Sequence, residues 1–239
     1  MIAHAAAVTL CLGLPTGAWA GTALPGLGGI DDRTAVDVTL PPWNAVIRVQ
    51  TNLGARCTGT LVRARLVLTA AHCLFNARTG RLLPASSLHV LFGYAHGGYD
   101  AHRLVDRAVT GSGYDGRRAA GSVGADWALL TLAGDAPAGL RPLPLLGAPP
   151  PPGTAAALAG YSQDRTHVLM ADRDCRITAA AVPPAPALLR HDCAGTRGTS
   201  GGPLLVREGD GWAVAGVSVA ATGDGSIAVA ASAFAGVVD

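Results

Sequence analysis

Short apolar or alternating runs of strand length, broken by Gly, Pro and Asp, recur along almost the whole chain, and they restrict the fold more than any other feature. In the first half they fall at residues 45–51, 58–62, 66–70, 88–94, 103–109 and 127–132. After them comes PAGLRPLPLLGAPPPPG, residues 137–153, whose prolines fit neither a central strand nor a helix interior, so this stretch reads as an extended crossover. Beyond it the runs resume at residues 155–161, 167–170, 177–182, 188–190, 203–207, 212–220 and 227–230. Helical periodicity is almost absent, which favours two antiparallel barrels, residues 36–136 and 154–239, over a βαβ architecture and predicts an all-β chain. Only the tail at residues 232–238 reads as a short helix, with Ser232 as its cap.

Residues 1–20 have the form of a secretory signal: an apolar run, the helix-ending Pro15 and Gly17, then Ala18-Trp19-Ala20 at a plausible cleavage point. The apolar run is too short for a membrane span, which needs ~20 residues. Residues 21–35 are then a propeptide or an N-terminal arm, and the expected location is secreted or periplasmic. Discarding Cys11 with the signal leaves Cys57, Cys73, Cys175 and Cys193 out of a total of 5, an even set suited to an oxidising compartment. Three pairings are possible, of which 57 with 73 and 175 with 193 each close a short loop within one half of the chain. No pair has the spacing of a zinc knuckle. The 18 basic residues, all Arg, against 16 acidic ones leave a net charge of +2 without a basic run, which argues against nucleic acid.

Three segments carry chemistry: Thr69-Ala70-Ala71-His72-Cys73, Gly124-Ala125-Asp126-Trp127, and Gly198-Thr199-Ser200-Gly201-Gly202-Pro203. Taken alone, a serine among glycines is a turn and an aspartate before a strand is a cap. All three together, in the order His, Asp, Ser and in an exported strand-rich chain, resemble the chymotrypsin/trypsin family of serine endopeptidases. The resemblance runs from about Pro42 to the C-terminus, and Gly160-Tyr161-Ser162 is similar to that family's turn at the start of the second barrel. It implies two six-stranded Greek-key barrels with the active site in the cleft between them, and a Cys57–Cys73 bridge closing the histidine loop. It also implies the roles of the residues. Ser200 would be the nucleophile, His72 the general base and acid, and Asp126 the group that orients the imidazole, while the amides of Gly198 and Ser200 would stabilise the oxyanion.

The G-x-S-x-G of residues 198–202 also satisfies the nucleophile elbow of α/β-hydrolases, but that fold needs a histidine after the serine and the last one is His191. A subtilase order, Asp37, His72, Ser200, fails because the segments around Asp37 and His72 differ and the α/β alternation is missing. A catalytically silent homologue that uses the cleft for binding is the alternative function, and the intact His72, Asp126, Ser200 and Gly198 argue against it.

The chain departs from the trypsin pattern where the aspartate before the nucleophile is replaced by Thr199, so a freed N-terminal ammonium has no partner there. Six residues before Ser200, where trypsin-like members have an acid, stands Ala194. Val217-Ser218-Val219-Ala220 resembles the strand that pairs with substrate, with Val217 where glutamyl endopeptidases have a histidine. The expectation is a pocket for small or apolar side chains formed by Ala194, Val217 and Val219, with Ser218 and Ala220 on the substrate strand. No cofactor or metal is expected, since the only Glu is Glu208 and the loop after Cys73 is poor in carboxylates. The expected partner is a protein or peptide substrate, without nucleic acid or stable membrane insertion, acting on a monomer.

Overall fold

The computed structural model describes residues 24–27, 31–180, 188–222 and 225–238. The signal read at residues 1–20 lies outside them, as do Ala181 and Val182 at the end of one expected run. Among the described residues no helix is long and apolar enough to cross a membrane.

The six runs of the first half become the strands of a closed antiparallel barrel. Ahead of them stands β1 (Thr34–Ala35), and the barrel strands begin with β2 (Val46–Thr51), β3 (Arg56–Arg63) and β4 (Leu66–Thr69). A small hairpin, β5 (Phe75–Asn76) and β6 (Arg81–Leu82), interrupts the series before β7 (Leu88–Phe92), β8 (Ala101–Thr110) and β9 (Ala128–Leu132). The barrel order is β2-β3-β4-β9-β8-β7. Val46, Ile47, Val67, Leu68, Val90 and Leu130 are buried in these strands, so the apolar runs do fill the interior.

The second half supplies β10 (Ala155–Gly160), β11 (Met170–Ala180), β12 (Leu188–His191), β13 (Pro203–Glu208), β14 (Gly211–Thr222) and β15 (Gly225–Ala230). They are ordered β11-β10-β13-β14-β15-β12, and pairing of β12 back onto β11 closes the second barrel. Seven runs were expected here and six strands form, because the runs at 167–170 and 177–182 belong to one strand. The charged stretch between them continues the alternation: Cys175 and Ile177 point inward while Asp174 and Arg176 face solvent. Strand β1 adds to the edge of this sheet by pairing with β11, so the N-terminal arm joins the second barrel although it precedes the first.

The tail corrects a detail. A 3-10 turn, Ala231–Ala233, leads into the short α1 (Ala235–Val238), and Ser232 lies inside the turn rather than capping it, because β15 runs straight into the turn. Phe234, fully buried, packs on Trp127 with ring centroids 5.5 Å apart. The C-terminus of the chain thus anchors the segment that carries Asp126. Two disulfides, Cys57–Cys73 and Cys175–Cys193, tie β3 to the turn after β4 and β11 to the loop after β12.

Candidate active site

His72 sits in a 3-10 turn, Ala71–Leu74, that follows β4, and Asp126 sits just ahead of β9. Because β4 and β9 are hydrogen-bonded neighbours, with Thr69 opposite Ala128, the two residues leave adjacent strands at the same end of the barrel. The Asp126 carboxylate is buried and accepts from His72 twice: one oxygen takes the backbone N–H at 2.8 Å, the other faces ring Nδ1 at 2.7 Å. Two contacts from one carboxylate fix both the turn and the ring plane. They leave the other ring nitrogen for chemistry, which is what an imidazole base requires.

Ser200 comes from the second barrel, in the loop between β12 and β13, and lines one groove together with His72. Its loop is held across the interface by residues of the first barrel. The Ser200 carbonyl accepts from Thr58 N at 2.9 Å, and Thr58 Oγ1 donates to the Gly198 carbonyl at 2.8 Å while accepting from Tyr161 N at 2.9 Å. Thr58 is fully buried, and its own carbonyl accepts from Thr69 Oγ1 at 2.7 Å. One threonine therefore links the serine loop, the second barrel and the strand leading to His72.

Two glycines make this approach possible. Gly201 has φ +82°, and a Cβ there would stand 2.2 Å from both the Thr58 carbonyl and Thr69 Oγ1. Gly198 has φ +92°, with the Tyr161 carbonyl 2.3 Å from where a Cβ would be. Only glycine reaches such a backbone without strain. The N–H groups of Gly198 and Ser200 donate to no other group among the described residues.

Thr199, which replaces an aspartate of the trypsin pattern, is buried and shares a 2.9 Å hydrogen bond with Ser162 Oγ. A charge does lie close by, in a network that the sequence reading missed. The Arg33 side chain is 1% exposed and bridges Asp31 and Asp164, each at 2.7 Å. Asp164 also accepts from Thr196 Oγ1 at 3.0 Å, four residues before Ser200. Chiefly through its hydrogen bond from Arg33, the Asp164 carboxyl is lowered to about 2. Arg and Asp 131 positions apart leave no mark in a local pattern, so only the folded chain reveals the pair.

A pocket of about 380 Å³ opens beside Ser200. Ser218, Val219 and Ala220 line it as the substrate strand predicts, and the strand is joined to the serine loop by Gly201 N to Ser218 O at 2.8 Å and Ser218 N to Gly202 O at 2.9 Å. Ala194 and Val217 do not line it. Val217 is fully buried in the main apolar core. Ala194 is tied back by its N–H to Asp172 Oδ2 at 2.8 Å, so the short loop after Cys193 presents Gly195 and Thr196 to the pocket in its place. The wall carries the hydroxyls of Thr196, Ser218 and Ser226 and the Arg197 side chain beside Val219, Ala220 and Ala221, so of the three residues expected to form the pocket only Val219 lines it. Pro25 of the N-terminal arm also borders it, and the Gly26 carbonyl accepts from Gly195 N at 2.8 Å.

Two closed barrels that bring a histidine, an aspartate and a serine to one shared cleft define the chymotrypsin-like class of serine peptidase. The comparisons agree. Residues 57–217 match the family model of the trypsin-like peptidase domain. A glutamyl endopeptidase of Bacillus licheniformis is 36% identical over 53 residues, covering 22% of this chain and 16% of that protein. Serine protease SP24D of Anopheles gambiae is 32% identical over 109 residues, covering 45% of this chain and 37% of that protein. The chain thus spans well under half the length of the curated relatives it matches. The solved structure of a Glu endopeptidase in complex with MPD superposes with a TM-score of 0.75 over 89% of this chain and 97% of that one, at 20% identity, which establishes the fold. The chain belongs to the trypsin-like peptidase family.

Proposed function

We propose that the protein is an extracytoplasmic serine endopeptidase in which Ser200 attacks a peptide carbonyl, His72 takes the hydroxyl proton and returns it to the leaving amine, and Asp126 orients and balances the imidazolium. The observation that carries this reading is the double contact of Asp126 with His72, since a buried carboxylate on both the backbone and the ring serves no packing purpose that an apolar residue would not serve better. The tetrahedral oxyanion is stabilised by the Gly198 and Ser200 amides, whose freedom from other partners and left-handed Gly198 suit that task. The two disulfides support an exported protein, consistent with a signal at residues 1–20.

No carboxylate lines the pocket beside Ser200 among the described residues, so it does not suit Lys or Arg before the cut. Its hydroxyls and Arg197 suit a polar side chain, and the relative named a glutamyl endopeptidase makes Glu the first residue to try. The test is digestion of a diverse peptide library by the protein starting near Gly21, beside its Ser200→Ala variant, with cleavage sites read by mass spectrometry. Cuts present in the first and missing in the second are the expected result. Equal silence, or equal cutting, from both sinks the proposal.

A further inference from the structure

The cleft divides at the nucleophile. Ser200 borders the hydroxyl-lined pocket on one side, next to the substrate strand, and on the other a groove of about 700 Å³ that contains His72 and the Cys57–Cys73 bridge. The amine that leaves when the acyl-enzyme forms must take its proton from the base, so the polypeptide following the cut passes His72 and enters this second groove. Arg56 from the start of β3, Arg78 from the β5–β6 turn and Arg197 beside Gly198 line it. All three are exposed, none has an ion-pair partner among the described residues, and no Asp or Glu lines the groove. An adjoining pocket of about 230 Å³ extends the same character with Arg48, Arg56 and Arg197, again without a carboxylate. Burial holds the Arg48 guanidinium below its ordinary value; Tyr94 opposes this, and repulsion from Arg56 adds to it.

Unpaired guanidinium groups along a concave wall focus a positive potential, and their planar donor pairs match carboxylates. Arg33, Arg65, Arg118 and Arg165, by contrast, each stand against an aspartate. We propose that this groove selects polypeptides with Asp or Glu in the first few positions after the scissile bond, Arg56 and Arg78 receiving the carboxylates and Arg197 standing at the junction with the nucleophile. The proposal rests on the peptidase reading of Ser200 and His72.

A solvent-exposed ion pair changes an equilibrium by up to about fivefold, so two acidic side chains placed against Arg56 and Arg78 should raise kcat/KM by about tenfold over two basic ones. The experiment uses fluorogenic peptides identical up to and including the residue before the cut, with Asp, Ala or Lys at the second and third positions after it. The expected order is Asp, then Ala, then Lys at low salt. The spread should collapse near 1 M salt, where the screening length falls to about 3 Å. In the R56E/R78E double variant the order should invert, a gain that a merely damaged protein could not show. Rates within twofold of one another at low salt, or an unchanged order in R56E/R78E, overturn the proposal. If no peptide is cleaved at all, binding of the same peptides to the Ser200→Ala variant decides by fluorescence anisotropy. A preference for the acidic peptide then upholds the groove while the peptidase reading falls, and equal binding overturns the groove.

Discussion

His191, at the end of β12, is fully buried, and neither ring nitrogen has a hydrogen-bond partner among the described residues. It stands in register between Ile177 of β11 and Ser226 of β15, inside the second barrel. Burial drives its proton affinity down, from 6.5 to about 4, opposed only by the neighbouring Asp192 charge. Each tenfold change in proton affinity is worth about 1.4 kcal/mol, so this drop corresponds to roughly 3 kcal/mol of pH-dependent stability. The sign follows from which state binds the proton. Below 6.5 the unfolded chain takes up a proton that the folded barrel refuses, so stability is fully present above 6.5 and is lost as pH falls toward 4. Substitution His191→Leu puts an apolar group of similar size in place of the ring and removes both the titration and a buried orphan polar group, itself worth about 1–3 kcal/mol. Urea unfolding followed by tryptophan fluorescence, at several pH values between 7.5 and 4.5, should show the wild type losing most of that roughly 3 kcal/mol. The variant should stay nearly flat, at equal or higher stability near neutrality. A wild-type slope retained by His191→Leu would refute the reasoning.

Other outcomes follow from the same structure. Asp126→Asn should leave the fold intact but lower kcat by about 10⁴-fold, the order known for this substitution in triads, because the amide favours the wrong imidazole tautomer; stopped peptide hydrolysis with unchanged circular dichroism is the check. Gly198→Ala, forced against the Tyr161 carbonyl at φ +92°, should lose about 10²–10³-fold in kcat while KM changes little, and a change confined to KM would contradict its oxyanion role. Asp164→Asn should cost about 1 kcal/mol at neutral pH after allowance for solvent screening. Because that carboxyl is lowered from 3.8 to about 2, the cost should vanish as pH falls between those values, and an equal cost at pH 2 and pH 7 would rule out the ion pair as its source.

Much of this was legible before folding. Alternation and strand length announced the two sets of strands, and the proline-rich stretch at residues 137–153 lies between them, since its prolines have no N–H to give to a strand ladder. Where the reading slipped, a tertiary partner was responsible. The stretch Asp172–Arg176 looks like a polar break, yet it is held as strand by β10, which pairs with it from Asp172 to Arg176. Counting back six residues from Ser200 put Ala194 at the pocket, but the hydrogen bond from its amide to Asp172 draws it away.

The sequence by itself determined which residues the proposed chemistry of the cleft would use. His72, Asp126, Ser200 and the glycines around the serine sit in short segments whose residue types are dictated by local backbone and by reactivity, and such demands are written in consecutive letters. Only the tertiary structure decided which groups surround them: Arg33 with Asp164 and Thr196, Thr58 spanning the barrels, Phe234 behind Trp127, and three arginines along one groove. These contacts join residues far apart in the chain, and barrel closure sets them. Their energies depend on burial and on what lies opposite, and neither is encoded in the spacing of one segment.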